Sequence, residues 1–294
     1  MNSYTETEFF VGDIPYQMYV QYYQPRPDQN SVPIVLLHGA FHTGTCFVKT
    51  PDNRQGWAVY LAKLGYSTYI VDLPGHGRSG FVPDLPLMSY QRIINATVAL
   101  LQQIGPAVIL THSMSGVVGW QTAKTHPQLV KAIVGIAPSP PADLLPATTK
   151  NSHEVFPEDR PRIQSREDTK KYFTNSDTFP QENFENYFCS LVAESARISN
   201  ELRNVEGRGL YICHPEILYD IPICVITGDQ DPRHPYKVDA ETAKYFGGDF
   251  IWLPEVGLPG HGHLQMLEHG NLAIADLFIN WLHSKGVMRS PNLD

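Results

Sequence analysis

The residues best placed for covalent chemistry in this 294-residue chain lie in Leu110-Thr111-His112-Ser113-Met114-Ser115-Gly116, where an apolar strand-like run ends and a helical pattern opens. A serine on so sharp a strand-to-helix turn is strained and projects its hydroxyl, which is the setting of a nucleophile. Side chains two places before and after it would collide with strand and helix, so small residues are expected there. Thr111 and Ser115 occupy those places, and Thr111 is the larger departure. The bland alternative is a buried strand that merely ends in serine at a helix start. A serine hydroxyl also needs a base beside it. Gly260-His261-Gly262-His263 precedes the last helical pattern, and a base should sit where that loop turns into the helix. His263 fits best, His261 is the alternative, and His269 reads as a surface or capping residue.

A third requirement is a group that stabilises developing negative charge. His38-Gly39 follows the apolar run Ile34-Val35-Leu36-Leu37, and a loop there can aim a backbone N–H at the same oxygen as the N–H after the nucleophile. Ala40 and Met114 are the expected donors. His38 reads equally well as a residue that only hydrogen-bonds its own loop.

These groups need elements to hold them. Runs at 34–39, 67–75, 107–113 and 131–139 are continuously apolar, as in strands covered on both faces. Helical patterns at 56–65, 89–105 and 115–127 fall between them, and the rhythm resumes at 222–229, 239–248, 249–257 and 271–286. That alternation predicts βαβ units and a mostly parallel sheet. Segments 8–12 and 17–24 alternate in polarity and read as an opening antiparallel pair. From about Pro140 to Glu216 the pattern breaks into prolines, charges and aromatics, which reads as an inserted cap of short helices; Phe184, Tyr187 and Phe188 are expected in its core.

Composition narrows the function. A net charge of −8 gives no basic footprint for nucleic acid. No run of eighteen apolar residues and no basic-then-apolar leader is visible, so no membrane span is expected and a cytoplasmic location is. Cys46, Cys189, Cys213 and Cys224 are scattered and read as free thiols. The paired histidines lack metal-ligand spacing, so neither metal nor cofactor is expected. Asn95-Ala96-Thr97 matches a glycosylation sequon but falls in a helical pattern. The expected partner is a small-molecule acyl substrate, with a homodimer left open.

Together, His38-Gly39-Ala40-Phe41-His42-Thr43-Gly44, the segment TPDNRQGW (50–57), VDLPGHGRSG (71–80), THSMSG, the GDQD turn and GHGHLQMLEHGN stand in the order and spacing of the α/β-hydrolase superfamily. They most resemble a bacterial and fungal esterase-like subgroup with TPDxRxGW and DxPGxGRSG motifs, in which a histidine is followed five places later by an acid; His263 and Glu268 match that pair. The resemblance implies an α/β-hydrolase fold, with a core at 1–139 and 217–294 and a cap at 140–216. Some members of that subgroup carry a catalytic glutamate after the strand that follows the elbow helix; here Ala137 stands there. The commoner superfamily position, Gly-x-x-Asp after the next strand, falls on Asp231, with Asp229 as the alternative and Asp143 or no acid behind it. Asp72, His76 and Arg78 read as a structural turn. The implied activity is that of a serine hydrolase cleaving a carboxylic ester or lactone through an acyl-enzyme. A lyase or carbon–carbon bond hydrolase on the same scaffold is the rival within enzymes, and a hydrolase-like ligand receptor the rival outside them.

Overall fold

The computed structural model describes residues 3–26, 31–149 and 155–288. The apolar runs form β3 (Ile34–Leu37), β4 (Thr68–Asp72), β5 (Ala107–His112), β6 (Val130–Ile136), β7 (Ile223–Thr227) and β8 (Asp249–Trp252), and the alternating N-terminal segments form β1 (Tyr4–Val11) and β2 (Met18–Pro25). All eight join one sheet in the order β1-β2-β4-β3-β5-β6-β7-β8. β1–β2 and β2–β4 pair antiparallel, and every later pair is parallel.

The continuous apolarity of the central strands follows from cover on both faces. Ile34, Leu36, Ile70, Val108 and Leu110 pack with α1 (Trp57–Lys63) and α8 (Asn271–Ser284). Their alternates Val35, Leu37, Val71 and Ile109 pack with α2 (Tyr90–Ile104) and α3 (Ser115–Thr125). The period of two thus sorts neighbouring side chains into two separate cores. α7 (Tyr236–Tyr245) packs on β7 and β8.

β3 lies between β4, which follows it in sequence, and β5, which comes later. The chain therefore reverses its winding at β3/β5, and a crevice opens beyond the carboxyl ends of those two strands. Ser113 directly follows β5 and Gly39 lies just beyond β3, so both stand at this crevice. Between β6 and β7 the chain carries α4 (Arg166–Tyr172), α5 (Phe184–Phe188) and α6 (Ala196–Leu202). Ser165 and Ser195 cap α4 and α6 with their side chains. Residues 150–154 of the expected insert lie outside the described residues.

The fold also accounts for Thr111. A Cβ at Gly119, on the face of α3 turned to β5, would lie 2.9 Å from the Thr111 methyl. The bulk that is unusual before Ser113 is thus accommodated by the missing side chain on the helix. Gly119→Ala should destabilise the protein by about 1–3 kcal/mol through overpacking. Thr111→Ser removes the clashing methyl, so the double variant should unfold at a higher denaturant concentration than Gly119→Ala alone. Additive losses in urea unfolding would contradict this pairing.

Candidate active site

Ser113 holds a left-handed backbone, φ +52°. Three backbone hydrogen bonds keep it there: its N–H donates to Ile136 O (3.1 Å), and its carbonyl accepts from Gly116 N (2.9 Å) and Ser139 N (2.8 Å). Gly116 permits the close approach, since a Cβ there would lie 2.8 Å from Ser139 O. Ser115, the second small residue of the turn, donates its hydroxyl to His38 O at 2.5 Å and so ties the turn to the loop after β3. Ser113 itself is 6% exposed. A Cβ at Gly39 would fall 2.6 Å from His112 Nδ1 and 3.1 Å from Ser113 Cβ, so that loop runs directly against the serine.

Asp231 Oδ2 accepts from His263 Nδ1 at 2.7 Å, with both side chains buried. Its other oxygen accepts from the N–H groups of Arg233 (2.8 Å) and His234 (3.2 Å). Burial alone would raise the Asp231 carboxyl, but the charge and hydrogen bond of His263 outweigh it and hold it at about 2. An ionised Asp231 fixes the proton of His263 on Nδ1 and leaves Nε2 as the nitrogen able to accept one. Burial, with His234 and Arg233 adding to it, holds His263 below its ordinary value despite Asp231. The imidazole is layered between Phe173 (ring centroids 5.4 Å, 14°) and His234 (5.3 Å, 16°). His112 joins this loop to the serine: its Nε2 donates to His263 O at 2.9 Å, and the two rings lie 4.8 Å apart.

The other candidates stand elsewhere. Asp229 accepts from Gly260 N (2.8 Å), and Asp143 accepts from Ile212 N and Cys213 N. His261 pairs with Glu268 (3.0 Å), and His269 is exposed. Glu268, matched in sequence to His263, bonds instead to His261, to Gly262 N, and to the hydroxyls of Ser176 and Thr178. Arg54, from the TPDNRQGW segment, donates to the carbonyls of Leu267 and Glu268 and to Asn271 Oδ1. The histidine loop is thereby clamped from both sides. Ala137, in the place of the subgroup's glutamate, is fully buried with φ +41°. Asp72 accepts from Gly44 N, Arg78 N and Arg78 Nε, all at 2.8 Å, which locks its turn to the loop after β3.

That loop is gripped by the β6–β7 segment as well. Phe41 has φ +66°; its N–H faces Glu194 Oε2 (3.4 Å) and its carbonyl accepts from Val192 N (2.9 Å). Glu194 also pairs with His76 Nε2 at 3.1 Å, both side chains fully buried. His76 Nδ1 meets Pro74 O as well, so the ring donates from both nitrogens; although burial disfavours its charge, Glu194 raises His76 above its ordinary value. His42 Nδ1 donates to Ala40 O (2.7 Å), and its Nε2 accepts from Tyr187 Oη of α5 (2.9 Å). Burial lowers His42 to about 4, so it stays neutral and keeps these roles. His38 accepts from Leu73 N at its Nε2 (3.0 Å), a structural bond. The N–H groups of Phe41 and His42 are both engaged within the loop, with Glu194 and with Gly39 O. Met114 is the N-cap of α3, and the N–H groups at the start of a helix lack intrahelical acceptors and carry partial positive charge.

Sequence reasoning missed His42, Glu194, His234 and Phe173 as neighbours of this site, and placed Tyr187 only in the core of the cap. His42 could have been flagged, since it falls two places after Ala40 within the same motif; the others lie where no motif points. Among the described residues no group of His, Cys, Asp and Glu is arranged to hold a metal ion, and no helix is long and apolar enough to cross a membrane.

Known proteins resemble this chain along most of its length. It is 27% identical to a protein named probable secreted lipase phiG from Fungal sp. (strain ATCC 74256), over 95% of this chain and 90% of that one. A shorter stretch, 36% of this chain and 37% of the relative, is 36% identical to the pimeloyl-[acyl-carrier protein] methyl ester esterase of Klebsiella pneumoniae (strain 342). Among solved structures, carboxylesterase CesB (YbfK) from Bacillus subtilis superposes with a TM-score of 0.65 at 15% identity, covering 95% of this chain and 92% of that one. The sequence profile of the alpha/beta hydrolase family matches residues 34–277. With the eight-stranded sheet and its crevice in place, the chain belongs to the alpha/beta hydrolase family.

Proposed function

We propose that this protein hydrolyses carboxylic esters through an acyl-enzyme on Ser113. The observation that carries the reading is the left-handed Ser113 just before α3, on a turn hydrogen-bonded to the loop of a buried His263–Asp231 pair. In this account His263 Nε2 takes the proton of Ser113 Oγ as it attacks the ester carbonyl. The N–H groups of Ala40 and Met114 receive the oxyanion, and His263 returns the proton to the leaving alcohol. Water activated by the same nitrogen then releases the acid, and no cofactor enters. The names of the relatives, a lipase and a methyl ester esterase, agree with ester cleavage. A lactone is an internal ester and would follow the same steps. We further propose that 140–216 acts as the cap that roofs the serine and selects substrate, because its residues Tyr187 and Glu194 reach the loop that carries Ala40. The cytoplasmic location is proposed from the sequence alone, against the name of the relative that covers 95% of the chain, a probable secreted lipase.

Ser113→Ala should abolish ester turnover while the unfolding transition stays in place. Asp231→Asn should lower kcat by at least about two orders of magnitude, because the wrong histidine tautomer is then populated. Asp229→Asn should lower it only weakly; the reverse ranking in steady-state assays would move the acid to Asp229. The pH profile offers a separate check. His263 must be neutral to act, and its burial lowers its affinity for a proton, so activity should rise with pH and level off early. The acid limb of kcat/KM should have its midpoint below 6.5, the ordinary histidine value; a midpoint above that value would contradict the burial argument.

A further inference from the structure

Two arginines, Arg162 and Arg233, lie beside the candidate site in a chain whose net charge is −8. Arg162 lies with its guanidinium 5.0 Å from the centroid of Phe41, the residue after Ala40. Its backbone pairs in both directions with that of Glu194, whose carboxylate faces Phe41 N. Arg233 lies 5.4 Å from the centroid of Phe173, the ring layered on His263. Phe41 and Phe173 are themselves neighbours, with centroids 6.4 Å apart. One arginine therefore stands over the oxyanion side and the other over the base side, on two rings that meet between them. The two cations are near enough to repel: burial first, then the charges of Arg203 and Arg233, lower Arg162 to about 10.

Five other arginines, Arg54, Arg78, Arg166, Arg197 and Arg208, form ion pairs with carboxylates. Among the described residues Arg162 and Arg233 form none. Arg162 donates to the neutral hydroxyl of Ser199 (2.8 Å). The carboxylates whose charge reaches them are Asp168, Glu194 and Asp231. Glu194 and Asp231 are held by His76 and His263, and Asp168 is exposed on the first turn of α4. Two like charges set on the rings beside Ala40 and His263 without a carboxylate partner form an arrangement that an anionic ligand completes, and a guanidinium fork matches a carboxylate or phosphate.

We propose that Arg162 and Arg233 are specificity-determining residues that receive an anionic group of the substrate, so that the preferred substrates are esters carrying a carboxylate or phosphate away from the scissile bond. The proposal rests on the ester-hydrolase reading for its substrate class and on the arginine geometry for its charge. Three methyl or alkyl esters of similar size separate the possibilities: monomethyl glutarate carries a carboxylate, 2-phosphoethyl butyrate a phosphate, and methyl butyrate no charge. At least one anionic ester should exceed methyl butyrate in kcat/KM by about tenfold or more, mainly through KM, and which one does so identifies the anion. Arg162→Gln and Arg233→Gln should each lower that ratio at least about fivefold, and added salt should lower it in the wild type. Equal loss on charged and neutral esters would mean that the arginines only hold the fold, and a preference for methyl butyrate would overturn the proposal. Calorimetric titration of Ser113→Ala with glutarate and with inorganic phosphate gives a readout free of turnover. Arginine-dependent binding in a protein that cleaves no ester would keep the anion site and reject the ester reading; turnover of methyl butyrate with neither anion preference nor anion binding would do the opposite.

Discussion

The left-handed backbone at Ser113 is the constraint from which the rest of the site follows. That conformation costs an L-residue with a side chain about 1–2 kcal/mol, and it persists only where the surroundings over-determine it. Here they do so through hydrogen bonds from both sides of the turn to β6 and the loop behind it. The geometry forces α3 hard against the sheet, and that in turn requires glycine at 116 and 119. Gly39 meets the same demand from the neighbouring strand, where any side chain would run into His112 and Ser113. Local strain, helix packing and the position of the loop after β3 are three expressions of one close approach.

Around that turn the molecule places buried histidine–carboxylate pairs: His263–Asp231, His261–Glu268, His234–Asp239 and His76–Glu194. Removing one partner from such a buried pair leaves an uncompensated polar or charged group and costs several kcal/mol, about 3–5 for a full ion pair. These pairs therefore fix loops that are distant in sequence. Glu268 holds both the segment between His261 and His263 and two hydroxyls of the β6–β7 segment. Glu194 holds Phe41 and His76. His263–Asp231 is tied to the serine turn through His112.

Strands and helices were legible because cover on both faces leaves a continuous apolar run, as in β5, whose six residues are all buried. Ser113 was legible because a buried strand that runs straight into a helix start needs a sharp turn, and a serine at that turn has its hydroxyl projected from it. Asp231 was preferred to Asp229 only through the Gly-x-x-Asp position of the resemblance; strand alternation could not choose, because β7 ends at Thr227 and alternation lapses before either residue. Glu268 shows the converse: its spacing from His263 matched a pattern, yet its side chain turns to His261, seven places back. The contact of Tyr187, expected only in the cap core, with His42 and the role of Glu194 were not legible because they join residues 145 and 118 positions apart, and no pattern in 140–216 announces such contacts. Thr111 looked like a flaw in the motif until its compensating partner, Gly119, came into view on the facing helix.

The central claim is that Ser113 is a nucleophile whose charge partners are already in place around it. The most direct test is a crystal structure of the protein treated with an alkyl phosphonate that mimics the tetrahedral intermediate. The account predicts phosphorus bonded to Ser113 Oγ, a phosphonyl oxygen within hydrogen-bond reach of Ala40 N and Met114 N, and His263 Nε2 facing the serine oxygen with its bond to Asp231 intact. A phosphonate attached to another residue, or an adduct on Ser113 whose oxygen points away from both N–H groups, would contradict it.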